Sequence, residues 1–289
     1  MRLWSKNQER IFFNKSKIFA SPQQLFYKTD DGRYVAYLPK GYNGLKYDLP
    51  ARDSLIKRYS ENWLCDLFNH LLEDEDLHVI PKAQIPAIGI SHKSPADIVL
   101  ASQNKKVLMP DEVKLIFDVN MSVVWNWQFD PELGDVFEIG DYRTHQGKPS
   151  FASSESIINA IGKCIDIRLS NPKASKIPLI VLGNTPMSDG FSKKADFLKS
   201  IGLIQGFWSL NPFPINHGNT KKYSSKKAFI RFDNTDELNI SLNQLFKQDL
   251  NFFAGMETPE KVGHLVDIAN NENSYEDKGL KFLNLLKRS

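Results

Sequence analysis

Asp97, Glu112 and Lys114 have residue types and spacing that could do chemistry on an anionic ester. They lie in Ser94-Pro95-Ala96-Asp97-Ile98-Val99-Leu100 and in Met109-Pro110-Asp111-Glu112-Val113-Lys114-Leu115-Ile116-Phe117. The polar segment Ser102-Gln103-Asn104-Lys105-Lys106 separates the two apolar runs, and this pattern predicts a β-hairpin. Side chains repeat every two residues along a strand, so Glu112 and Lys114 share a face. Asp97 starts the partner strand and is expected at the same end of the hairpin. Two carboxylates and one ammonium meeting there would hold a divalent cation against a phosphodiester. Asp118 shares the face of Glu112, but it falls about 20 Å along the hairpin and reads as structural.

Such a hairpin needs flanking elements to hold it. Leu55, Ile56, Tyr59, Trp63, Leu64, Leu67, Phe68, Leu71 and Leu72 recur at helical spacing over residues 53–73, with Asp53 or Ser54 as the cap. A second helix opens at Ser153-Ser154-Glu155-Ser156 and ends near Asn171-Pro172. The continuous apolar run Ile177–Gly183 predicts a buried strand. A helix from Ser192 to Ile201 and a strand over 203–210 follow. Residues 27–38 read as a hairpin turning at Asp-Gly, and residues 126–152, rich in Gly and Pro, read as an inserted loop. Trp125 and Trp127 alternate with Asn126 as core positions of a strand. Two amphipathic helices are expected at 236–253 and 274–287.

The Asp, the Glu-x-Lys and this element order together resemble the PD-(D/E)xK nuclease superfamily, which includes most type II restriction endonucleases. The order is helix, three strands, helix, strand, and it spans residues 53–210. The resemblance implies an α/β fold with a restriction-endonuclease-like core, a central mixed sheet flanked by helices. Residues 1–52 and 211–289 would be N- and C-terminal additions. It implies Mg²⁺ as cofactor, Asp97 and Glu112 as metal ligands, Lys114 as the catalytic lysine, and Glu61 of the first helix as a further ligand. The sequence departs from the motif in having Pro95-Ala96-Asp97, with the Pro one residue early. The expected activity is Mg²⁺-dependent hydrolysis of double-stranded DNA at a short sequence. Two other readings are a structure-specific nuclease of the same core and a non-catalytic DNA-binding protein.

Composition bounds the rest. With 41% hydrophobic and 25% charged residues the chain has the composition of a globular protein. No apolar run approaches the roughly 20 residues of a membrane span, so no membrane partner is expected. The N-terminal segment lacks the apolar stretch of a signal peptide, which points to a cytoplasmic location. Cys65 and Cys164 lack metal-ligand spacing and read as buried thiols. Net charge is only +3, so a DNA-binding surface must be local. Two candidates are the loop carrying Arg143, His145, Gln146 and Lys148 and the basic stretch carrying Lys221, Lys222, Lys226 and Lys227. Lys163 reads as a helix-surface lysine. Cutting both strands of a duplex with one site per chain implies a homodimer. Gly147-Lys148-Pro149-Ser150 has Pro where a phosphate loop needs Ser or Thr, and no Gly-x-Ser-x-Gly occurs.

Overall fold

A computed structural model describes residues 2–44, 47–247 and 259–288. Helices α1 (Lys6–Ser16) and α2 (Pro22–Leu25) lead into a two-residue-per-arm hairpin, β1 (Tyr27–Lys28) and β2 (Tyr34–Val35). Gly32 supplies the left-handed turn residue at φ 86°. The long helix α3 (Pro50–Leu71) begins three residues before the expected cap. Pro50 occupies its first turn, where no intrahelical N–H bond is lost, and Asp53 then lies in that turn, favoured by the helix dipole.

Three antiparallel strands follow: β3 (His78–Ala83), β4 (Ala96–Ala101) and β5 (Val113–Asn120). Next comes a second hairpin, β6 (Trp125–Asp130) and β7 (Asp135–Asp141). Helix α4 (Ser154–Ser170) starts at Ser153, whose hydroxyl accepts from Ser156 N at 3.2 Å. Then come β8 (Leu179–Gly183), α5 (Asp189–Ser200), β9 (Gly206–Ser209), β10 (Phe229–Arg231) and the helices α6 (Thr235–Phe246), α7 (Pro259–Ala269) and α8 (Tyr275–Arg288).

The fold is mixed α/β, with a central mixed sheet flanked by helices. Its strand order is β10-β9-β8-β5-β4-β3, antiparallel from β3 to β5 and parallel from β5 to β10. The elements of this sheet and its flanking helices follow in the order helix, three strands, helix, strand, but the β6–β7 hairpin intervenes between β5 and α4. One face buries Ile98, Leu100, Leu115 and Phe117 against Leu64, Leu67 and Phe68 of α3, and the Phe68 and Phe117 rings stack at 4.5 Å. The other face buries Val99, Ile116 and Val181 against Ile157, Ala160 and Cys164 of α4. At ~25 cal/mol per Å² of apolar surface, these two cores supply the main force holding both helices to the sheet.

Several expectations need correction. Residues 126–152 are not a plain loop: β6 and β7 join β1 and β2 in a second sheet of order β1-β2-β6-β7. β7 is an edge strand whose polar residues Asp135, Glu138 and Asp141 fall three apart and whose Phe137 and Ile139 are exposed, so it lacks the period-two alternation that marks a strand. The expected border at 210 falls between β9 and β10, which are paired strands of one sheet. The helix over 236–253 is present as α6, and its part from 248 onward lies outside the described residues. Helix α7 was not expected.

Glu9 ties the N-terminus to the segment that leaves β5. Its buried carboxylate accepts from Val124 N at 2.7 Å, Trp125 N at 3.1 Å, Trp127 Nε1 at 3.0 Å and Trp4 Nε1 at 3.2 Å. This clamp fixes the chain just beyond Asn120.

Candidate active site

Strand direction decides which carboxylates meet. In the β4–β5 pair Ile98 faces Phe117, and the same register places Asp97 opposite Asp118. Asp97 accepts from the Val119 amide at 2.9 Å, across that end of the ladder. Glu112 lies in a short 3-10 turn (Pro110–Glu112) before β5, where its carbonyl accepts from Ser102 N at 2.9 Å. That is the opposite end of the hairpin from Asp97, about five residues or ~17 Å away. The expected meeting of Asp97 with Glu112 and Lys114 is therefore not found. In an antiparallel pair the start of one strand meets the end of the next. Glu112 instead closes the turn, pairing with Lys105 at 2.6 Å and accepting from Met109 N at 2.7 Å. These bonds hold its carboxyl below the usual range. Lys114 is exposed.

Helices bring the remaining groups to Asp97 and Asp118. Glu61 of α3 is buried and pairs with Lys82 of β3 at 2.5 Å, while Lys82 also reaches Asp97 at 3.4 Å. Lys57, one turn before Glu61, lies 3.1 Å from Asp97. From the other side of the sheet, Lys163 of α4 pairs with Asp118 at 2.6 Å. Three carboxylates and three ammonium groups thus gather at one end of the sheet. Glu61, Asp97 and Asp118 come from α3, β4 and β5, and Lys82 from β3 between them in the chain.

The charges perturb one another. Burial raises the Asp118 carboxyl, Lys163 pulls it back, and repulsion from Asp97 adds to the rise. Glu61 is likewise raised, by burial first and with Asp97 adding, against the pull of Lys82. Burial also opposes the charge on Asp97, but Lys57, the Val119 amide and Lys163 together hold its pKa below the ordinary value. Lys82 and Lys163 are each held above the ordinary lysine value despite burial, through the carboxylates they touch.

The cleft over this cluster has a volume of about 350 Å³. Its lining includes Lys57, Lys82, Asp97, Asp118 and Lys163. Among the described residues no three His, Cys, Asp or Glu side chains form a ready-made metal cage. Each carboxylate is turned onto a lysine instead. The donor set still fits a hard divalent cation, being all carboxylate oxygen. Asn120, two residues beyond Asp118 on the same face, has a buried amide nitrogen with no hydrogen-bond partner.

No family model, curated protein or solved structure matches this chain. Its functional reading therefore rests on this cleft and its surroundings.

The expected DNA-contacting residues fall in two places. The loop 141–149 leaves β7 and returns at Ser150, whose Oγ donates to Asn120 O at 2.5 Å. It packs beside the second sheet, Gln146 N donating to Leu38 O at 2.9 Å and Tyr142 N to Val124 O at 3.1 Å. Arg143 and Lys148 in it are exposed. His145 contacts Asp141 O at 3.2 Å, and the Gln146 amide donates to Pro39 O at 2.9 Å. The basic stretch 221–231 lies at the far edge of the sheet, beyond β9. There Lys221 pairs with Asp189 at 2.8 Å, and Lys222 pairs with Asp233 at 2.5 Å and Glu237 at 2.8 Å. Lys226 donates to Ser200 Oγ at 2.9 Å, and Lys227 sits 5.5 Å over the Tyr223 ring.

Sequence reasoning missed Lys57 and Lys82 and set Asp118 and Lys163 aside. Asp118 becomes legible only once the strand register is known. A hairpin whose second strand resumes at Val113 has its midpoint near residue 107, which places 97 opposite 118. Lys57 and Glu61, four apart on one helix, share a face. Nothing in the sequence marks Lys82.

Proposed function

We propose that this chain is a Mg²⁺-dependent endonuclease acting on double-stranded DNA at a short sequence, a type II restriction endonuclease. One observation carries the reading: Asp97 and Asp118 line one cleft with Lys57, Lys82 and Lys163, and buried Glu61 reaches that group through Lys82. The element order around that cleft agrees with the nuclease core named above. Asp118-Val119-Asn120 stands where a Glu-x-Lys was expected, so the carboxylate role passes from Glu112 to Asp118.

A phosphodiester is anionic and repels hydroxide. Glu61, Asp97 and Asp118 would hold Mg²⁺, which when bound neutralises phosphate charge and makes a water more acidic. The lysines of the cleft offset the negative charge that builds on the phosphate oxygens. Water oxygen adds to phosphorus, the bond from phosphorus to the 3′ oxygen breaks, and solvent exchanges the two protons. Arg143 and Lys148 are exposed and would meet phosphates outside the cleft. Binding energy from base contacts elsewhere can assemble the site only at the correct sequence.

Incubating the protein with a sequenced plasmid and Mg²⁺, then sequencing the ends, tests this. Discrete fragments sharing one end sequence are expected. Random ends would leave a nuclease without sequence specificity, and an intact plasmid would remove the reading. Replacing Mg²⁺ by Ca²⁺ should preserve sequence-specific binding in a gel-shift assay while cleavage falls at least about a hundredfold, because the larger ion takes more ligands and polarises water less. Equal turnover in both ions would exclude this use of the site.

A homodimer completes the reading, since one cleft per chain serves one strand. No described helix is long and apolar enough to cross a membrane. Ile158, Ile165 and Leu169 of α4 and Phe197 and Ile201 of α5 nevertheless form an exposed apolar band on the side of α4 away from the cleft. An isologous contact of two such bands supports the dimer. Changing Leu169 and Phe197 together to Glu should give a folded monomer by analytical ultracentrifugation. An unchanged dimer would assign the contact to another face, and a wild-type monomer would remove it.

A further inference from the structure

Lys82 holds a backbone conformation that lysine ordinarily avoids. It sits inside β3 at φ 53°, in the left-handed region. Among the described residues only Ser150 and Lys227 are other non-glycine positions with positive φ. Backbone strain of this kind persists where the surrounding structure enforces it, and it gathers at functional sites. The enforcement is visible here. Pro81 pairs with Ile98 and Ala83 with Ala96, so Lys82 is pinned between two ladder positions and faces Asp97. The result is an ammonium 2.5 Å from Glu61 and 3.4 Å from Asp97, two of the three carboxylates assigned above. Lys57 and Lys163 reach the cluster from ordinary helical backbone and bear no such strain.

An ammonium in contact with both carboxylates occupies the space a divalent cation would need. When the carboxylates take the ion, two positive charges cannot share the oxygens, and the ammonium must turn away. Its side chain lines the cleft, where the oxygen of a bound phosphate would give it a new anionic partner. We propose that Lys82 is the catalytic lysine of this site, a counterion to Glu61 and Asp97 without metal and a partner of the scissile phosphate once metal is bound. It forms no covalent bond and transfers no proton; it offsets charge on the phosphorane. This inference rests on the nuclease reading above.

The test uses the full-length chain and two readouts. Calorimetric titration with Ca²⁺ alone should show Lys82→Met binding the ion several-fold more tightly than wild type, because a competing cation is gone. At saturating Mg²⁺ the same variant should cleave plasmid about 10²–10³ times more slowly, the loss typical when one transition-state donor is removed. Lys82→Gly guards against misfolding. Glycine takes the left-handed conformation freely, so that variant should melt no lower than wild type and lose cleavage equally. Wild-type cleavage by both variants at saturating Mg²⁺ would reduce Lys82 to a counterion and overturn the proposal. Unchanged or weaker Ca²⁺ binding would overturn the competition with metal. Loss of cleavage in Lys163→Met but not in Lys82→Met would move the role to α4. Asp97→Asn separates the two levels: if it cleaves like wild type, the nuclease site itself is wrong, whereas an inactive Asp97→Asn beside an active Lys82→Met sinks this inference alone.

Discussion

Asp118→Asn and Asp97→Asn should each lower Mg²⁺-dependent plasmid cleavage about a thousandfold or more, while Glu112→Gln and Lys114→Met stay within about threefold of wild type. A thousandfold corresponds to roughly 4 kcal/mol of transition-state stabilisation at ~1.4 kcal/mol per tenfold. The expectation follows from strand direction. Asp97 and Asp118 are cross-strand neighbours by register, each buried or half-buried and each paired with a lysine. Glu112 closes a turn with Lys105 and the Met109 amide at the other end of the hairpin. Asparagine keeps the shape of the side chain but cannot supply the charge a divalent ion needs. It also removes repulsion toward phosphate, so DNA binding by both variants should hold or tighten in a Ca²⁺ gel-shift assay. The decisive comparison is within one experiment at saturating Mg²⁺. An inactive Glu112→Gln beside an active Asp118→Asn would restore the sequence motif and refute the register argument.

That contrast marks how far the sequence could be read. Periodicity located α3 and α4, because each buries one continuous stripe against a sheet face. The unbroken apolar run marked β8, which is covered on both faces. Asp97 was recognisable at the head of a strand. Its partner was not, since alternation gives the face of a residue and not the register of its strand. The literal Glu-x-Lys at 112–114 lies where a 3-10 turn delays the start of β5 until Val113, and that turn leaves no periodic trace. The second sheet was hidden for another reason. It joins β2 to β6 across some ninety residues, and local patterns carry no record of such a pairing. Lys82 was the least visible of all, because its importance lies in a backbone angle that sequence favours only for glycine. Residue types alone picked out Asp97, whereas bringing Asp118 opposite it required the strand pairing.

Glu9→Gln should lower the melting temperature by roughly 5–10 °C, corresponding to about 2–4 kcal/mol in a chain of this size. Four N–H groups converge on the Glu9 carboxylate with nothing but acceptor oxygen to meet them. Glutamine would turn an N–H₂ group into that shell, leaving donors buried without acceptors. The wild-type carboxyl also makes stability depend on pH. Burial pushes its pKa up to about 7, against the pull of Trp127, Val124, Trp4 and Trp125. A folded-state value above the ordinary 4.5 means the folded chain holds the proton more tightly than the unfolded one. The stabilisation is complete below about 4.5 and is lost as pH rises to about 7, a change of about 3 kcal/mol at ~1.4 kcal/mol per pH unit. Glu9→Gln should remove this part of the slope. Differential scanning calorimetry of both proteins between pH 5 and pH 8 measures it, and parallel slopes would mean that Glu9 keeps one protonation state throughout. The clamp holds Val124 and Trp125 just past the end of β5, outside the carboxylate cluster. Cleavage at 25 °C should therefore survive in Glu9→Gln, whereas Asp118→Asn should melt like wild type and cut nothing.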